Sequence, residues 1–119
     1  MGKTNGFARV ERVKQSEEIQ RLFKKGRHFS TNGAMLFVLE NELEINRIAF
    51  ALKKGYGNAV TRNASKRLSR EAYRNSKKNL VTGYDMILLV YPGNDTYLAR
   101  YNQINILFKK AGLLLEIME

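Results

Sequence analysis

Val60-Thr61-Arg62-Asn63-Ala64-Ser65-Lys66-Arg67-Leu68-Ser69-Arg70-Glu71-Ala72-Tyr73-Arg74 holds no glycine or proline. Wound at about 100° per residue, it gathers Arg62, Lys66, Arg70, Asn63, Arg74 and Arg67 on one contiguous arc of roughly 140°. Val60, Ala64, Leu68 and Ala72 fall on the opposite side, which predicts a helix docked by those four residues and cationic on its free face. Arg62, Lys66, Arg70 and Arg74 form an i,i+4 ladder of like charges. Such pairs repel by a few tenths of a kcal/mol each, a cost that a polyanion removes. Glu71 lies within reach of Arg67 and Arg74 and is expected to orient them.

The charge is local. Between Lys53 and Lys78 there are nine basic residues and one acid, so this segment carries +8 of the chain's +10; the remainder, with 12 basic and 10 acidic residues, is nearly balanced. Confined imbalance of this kind is a footprint for a polyanion, because cations placed on phosphates release condensed counterions. Gly55 and Gly57 just before the helix permit close backbone approach, and the helix N-terminus adds amide donors for phosphate, although an ordinary turn explains the glycines equally well.

Outward from the helix, the chain reads as one α+β domain of 119 residues, with residues 1–12 expected to be flexible. A first helix is expected from Ser16, as cap, to Gly26, with Glu17 and Glu18 in its first turn and Lys24 and Lys25 in its last. Ala34–Leu39 and Arg47–Leu52 are strand-like and flank the polar residues 40–46, which predicts an antiparallel hairpin. Tyr84–Tyr91, almost continuously apolar, is the third expected strand and is closed by Pro92-Gly93-Asn94-Asp95. The basic helix spans about 59–78, and a last helix runs from about Thr96 to Leu115 on Leu98, Tyr101, Ile104, Phe108 and Ala111. The order is α-β-β-α-β-α, with helices packed on a mixed central sheet.

Several function classes fall away. Cysteine is absent, which removes disulfides and thiolate chemistry, and no apolar run approaches the roughly 20 residues of a membrane span. With no apolar signal segment at the N-terminus, a cytoplasmic protein without a membrane partner is expected. The two aspartates, Asp85 and Asp95, and the scattered glutamates do not make the carboxylate cluster of a metal nuclease, and the single His28 reads as a surface or capping residue.

Lys53-Lys54-Gly55-Tyr56-Gly57-Asn58-Ala59-Val60-Thr61-Arg62-Asn63-Ala64-Ser65-Lys66-Arg67-Leu68-Ser69-Arg70-Glu71 resembles the signature of the protein subunit of bacterial ribonuclease P. Ile19-Gln20-Arg21-Leu22-Phe23-Lys24-Lys25-Gly26 resembles that family's opening helix, and Phe108-Lys109-Lys110-Ala111-Gly112-Leu113 its closing one. The chain departs from the signature twice: Ala64 stands where a third basic residue is usual, and one extra residue separates Lys53-Lys54 from Gly57.

The resemblance implies a fold like domain 2 of ribosomal protein S5, with a left-handed β-α-β crossover around the basic helix. It implies a protein that does not cut. A catalytic RNA, ribonuclease P RNA, with magnesium bound mainly by that RNA, removes the 5′ leader of precursor tRNA, and no obligatory protein partner is implied. RNA-binding residues carry over to Lys53, Lys54, Arg62, Asn63, Lys66, Arg67, Arg70 and Arg74, and a cleft for the single-stranded leader to Phe23, Met35 and Phe37. Without the resemblance, core packing is the favoured reading of Phe23 and Phe37, and a structural RNA-binding protein such as a ribosomal protein is the alternative for the whole chain.

Overall fold

The computed structural model describes residues 11–93 and 95–115, so of the terminal segment expected to be flexible, residues 1–10 lie outside the described residues. Glu11 and Arg12 are engaged: the Lys77 ammonium donates to both Glu11 carboxylate oxygens, and Arg12 bridges to Ile48 at a sheet edge.

Among the described residues, four strands and three main helices form an α+β domain. In chain order they are α1 (Ser16–Lys25), β1 (Arg27–Thr31), β2 (Ala34–Glu40), β3 (Arg47–Leu52), α2 (Ala59–Ser76), β4 (Tyr84–Val90) and α3 (Tyr97–Lys110), with a 3-10 turn at Lys77–Asn79 after α2. The sheet order is β1-β2-β4-β3; β1 with β2 and β2 with β4 are antiparallel, and β3 with β4 is parallel. Thus β3 and β4 are joined through α2, as a parallel pair requires a crossover.

Three expectations are corrected. The hairpin of Ala34–Leu39 with Arg47–Leu52 does not exist, because β4 lies between the two: Phe37 pairs with Ile87, which pairs on its other side with Ala49. The hairpin partner of β2 is β1, a polar edge strand whose Arg-His-Phe-Ser-Thr gives no apolar alternation. The order is therefore α-β-β-β-α-β-α. Ser16 is the first helical residue rather than the cap, which is Gln15 without a side-chain bond, and α3 stops at Lys110 instead of reaching Leu115.

Strand alternation divides the sheet into two faces. One buries Leu36, Val38, Ile48, Met86, Leu88 and Val90 against α2 and α3, through Tyr73, Ile104, Leu107 and Phe108. The other gathers Val13, Leu22 and Ile87, with Ile19, Phe37, Leu39, Ala49 and Ala51 partly exposed beside them. Among the helices of the described residues, α1 is the one that packs on this second face, against β2 and β4. No helix among the described residues is long and apolar enough to cross a membrane.

Candidate RNA interface

Helix α2 docks only in part by the side its hydrophobicity indicates: Ala72 is buried as expected, but the docking face is rotated toward the serines. Val60 is 78% exposed, Ala64 is exposed and Leu68 is half-buried, whereas Ser65, Ser69, Ala72, Tyr73 and Ser76 are buried. The cause is Arg100 on α3, which is 1% exposed. Its guanidinium donates to the Ser65 carbonyl (3.0 Å), Ser69 Oγ (2.7 Å) and Asp95 Oδ1 (2.6 Å), while its Nε donates to Gln103 Oε1 (3.2 Å). A buried cation requires such bonds, and small serines let the two helices approach closely enough to supply them.

The same network fixes the entry to α2. Tyr56 is buried and its hydroxyl donates to Asp95 Oδ1 at 2.6 Å, with Ser65 Oγ donating to the Tyr56 oxygen at 3.0 Å. Burial, then the bond to Asp95, pushes the Tyr56 hydroxyl above the usual tyrosine range. Gly55 and Gly57 on either side adopt φ of +80° and +151°, values that side-chain-bearing residues rarely take, so they let the chain turn Tyr56 inward. Asn58 then caps the helix, its side chain accepting from the Thr61 amide at 2.9 Å.

With the serines inward, the cationic arc faces outward. Asn63, Arg67 and Arg70 are exposed, and Arg62, Lys66 and Arg74 are half-buried. Glu71 pairs with Arg74. Lys53 and Lys54 lie exposed before the helix. Lys66 and Arg70 also line a cleft of about 320 Å³ with Arg12, Val13, Lys14, Ile19, Ile48, Ala49 and Phe50, where α2 meets the β3 edge and the end of α1. The cationic helix and the open sheet face therefore adjoin.

Phe23, Met35 and Phe37 come together on that face. Phe23 on α1 is 42% exposed and meets the Phe37 ring edge to face at 4.8 Å between centroids. Met35, two residues from Phe37 on β2, is half-buried on the same side. One edge of this aromatic pair rests on the Leu22 and Ile87 cluster, and the remainder is open. Helix α1 is held in place by ions: Arg47 donates to Asp85 through Nε (2.8 Å) and Nη2 (2.7 Å), and Nη2 also reaches Glu18 on α1 at 3.2 Å. The paired bonds to Asp85 hold the Arg47 guanidinium even further above its usual range.

Sequence reasoning missed two neighbours here. His28 is exposed, as its reading as a surface residue expects, and the unforeseen part is its place on β1 opposite Phe37 with rings 6.0 Å apart. Tyr91, read as the end of a strand, donates its hydroxyl to Met35 Sδ at 3.4 Å and lies under the Lys53 ammonium, 5.6 Å from the ring centroid. The signal for Tyr91 was present in the period-2 spacing of Ile87, Leu89 and Tyr91.

Among the described residues no three carboxylates or histidines gather as metal ligands. Asp85 and Asp95 are each paired with an arginine.

The family described as Ribonuclease P matches residues 7–112, a span that contains the cationic helix and the aromatic cleft. The chain belongs to the ribonuclease P protein family. It is 45% identical to the ribonuclease P protein component of Natranaerobius thermophilus over 83 residues, which cover 70% of this chain and 72% of that one. To the protein component of Clostridium kluyveri it is 32% identical over 108 residues, covering 87% of this chain and 96% of that one. The solved ribonuclease P protein of Staphylococcus aureus superposes with a TM-score of 0.78 at 27% identity, covering 87% of this chain and 97% of the other. The role of the chain is that of the protein component of a tRNA-processing endoribonuclease, in tRNA 5′ maturation, with ribonuclease P RNA as its partner.

Proposed function

We propose that α2 docks on ribonuclease P RNA through Arg62, Asn63, Lys66, Arg67, Arg70 and Arg74, and that the open sheet face holds the single-stranded 5′ leader of precursor tRNA against Phe23, Met35 and Phe37. The observation that carries this reading is the adjacency of the two surfaces: Lys66 and Arg70 share a cleft with Ile19 and Ala49, which belong to the aromatic face. A single RNA complex can cover both. Guanidinium forks suit phosphates of a folded RNA, while aromatic faces stack on unpaired bases for about 1 to 3 kcal/mol each without reading their identity. That tolerance fits a leader whose sequence differs between substrates.

On this reading bond cleavage falls to the RNA with its magnesium. The protein contributes binding: it holds the leader next to the RNA that acts on the precursor. A cytoplasmic location is part of the same proposal, given that RNA partner. The test is reconstitution at low magnesium with ribonuclease P RNA and precursor tRNA, following release of the 5′ leader. Stimulation only when protein and RNA are combined is expected; cleavage by the protein alone, or binding without stimulation, overturns the reading.

A further inference from the structure

The outer flank of α3 carries a pair of rings that neither the cationic arc nor the open sheet face uses. Tyr97 and Tyr101, one helical turn apart, lie nearly parallel at 26° with centroids 5.8 Å apart. The rings of Phe50 with Tyr73 and of Tyr73 with Phe108, which close the core, meet edge to face at 69° and 74°. A parallel pair differs in presenting a flat face that a further ring can extend. Tyr97 is 36% exposed and Leu98 beside it 66%, although the sequence predicts Leu98 and Tyr101 on the packed side of α3.

The pair is held from α2. Asn75 Nδ2 donates to the Tyr97 hydroxyl oxygen at 2.9 Å, and Asn105, one turn beyond Tyr101, donates to Ser76 Oγ at 3.0 Å and to the Tyr101 carbonyl at 2.9 Å. The rings thus stand at the seam between the two helices, ordered before any ligand arrives. Stacking at i,i+4 alone stabilises a helix by a few tenths of a kcal/mol, but that role calls for neither the Asn75 bond nor an exposed ring.

Charge is continuous across the seam. Asn75 directly follows Arg74, the last cation of the arc, and exposed Lys78 comes three residues later. On α3 the i,i+4 stripe of Tyr97, Tyr101 and Asn105 ends at exposed Lys109. Uncharged rings flanked by cations suit a base and its phosphates, whereas a second copy of a chain of net charge +10 would be repelled. The leader is not the occupant argued for, because Tyr101 packs on the core cluster of the closed face and Phe37 on the opposite one.

We infer that Tyr97 and Tyr101 stack on an unpaired base of ribonuclease P RNA, carrying the docking surface from α2 across to α3. The inference rests on the docking of α2 proposed above.

The experiment titrates the full chain onto ribonuclease P RNA without precursor tRNA across ionic strengths, with Tyr97→Leu, Tyr97→Phe and Arg62→Ala, and maps the bases left reactive to a base-modifying reagent in each complex. Tyr97→Leu is expected to weaken binding by about tenfold with an unchanged salt slope, since stacking a base releases no counterions. One unpaired base protected by the wild-type chain becomes reactive with Tyr97→Leu while the other protections persist. Tyr97→Phe keeps the ring and loses only the Asn75 bond, so it stays within about threefold of wild type and keeps that protection. No loss with Tyr97→Leu, a loss matched by Tyr97→Phe, or a lowered salt slope overturns the stacking site; the last would mean that Tyr97 acts by positioning the arginines of α2. The site also falls, whatever the variants do, if the wild-type chain protects no base that Arg62→Ala leaves protected. If Arg62→Ala leaves the slope unchanged, the docking of α2 is wrong and the seam falls with it; if it lowers the slope by about 1 while Tyr97→Leu has no effect, the docking face stands alone.

Discussion

On β2, Leu36 and Val38 are sealed while Met35 and Phe37, one residue away, remain partly exposed. The same parity runs through β4 and β3, so neighbouring residues of one strand serve a closed face and an open one. What differs is the cover. Among the described residues, the closed face lies beneath α2 and α3, of 18 and 14 residues, and the open face beneath α1, of 10 residues and about 15 Å long. Among those same residues a short helix leaves the Met35 and Leu89 row of the sheet without a helical cover. The proposed leader surface is the part of the sheet that borders α1.

The comparison breaks most visibly under truncation. Leu88→Ala, on the closed face, should cost about 2 to 5 kcal/mol in urea unfolding, because the cavity has no solvent to fill it. A cost below 1 kcal/mol would mean that this face is not the core. Phe37→Ala should cost less stability than that yet weaken precursor tRNA binding by about tenfold relative to mature tRNA, which has no leader. Equal weakening of both RNAs would return Phe37 to a purely structural role.

Substitutions on the cationic arc act on a third surface and should separate from both faces. Arg62→Ala and Lys66→Ala are each expected to lower the salt slope of binding to ribonuclease P RNA by about 1, measured by titration across ionic strengths. An unchanged slope would remove that residue from the docking face. The smallest effect is expected at Val60: Val60→Ser, at a position 78% exposed, should change stability by less than about 0.5 kcal/mol. A loss of 1 kcal/mol or more would show that the helix packs as its hydrophobicity suggests rather than by its serines.

Val60 also marks the limit of what the sequence conveys. Helix existence, the cationic arc and the buried β4 were legible because each is a local periodic signal in a long segment. Docking side was not, since Ser65 and Ser69 read as polar while Arg100, 31 residues from Ser69 in sequence, decides their burial. Pairing was not legible either: β2 and β3 are near in sequence, but β4 enters between them, and β1 carries too little apolar patterning to be seen. Phe23, Met35 and Phe37 were placed by resemblance to a family, and the structure adds why they meet, through the Glu18, Arg47 and Asp85 ions that hold α1 on the sheet.

The directional bonds of Arg100 bear on how the basic helix meets a rigid partner. Greasy contacts tolerate a helix turning about its own axis, whereas the Ser65 carbonyl and Ser69 Oγ each fix an azimuth. A roll of only 20° would swing a side chain at the helix rim by about 2 Å, enough to pull a guanidinium off a phosphate oxygen. By pinning the axial rotation of α2 from beneath, a single buried arginine fixes the direction in which the outward arginines point, which is what the proposed docking on RNA requires of them.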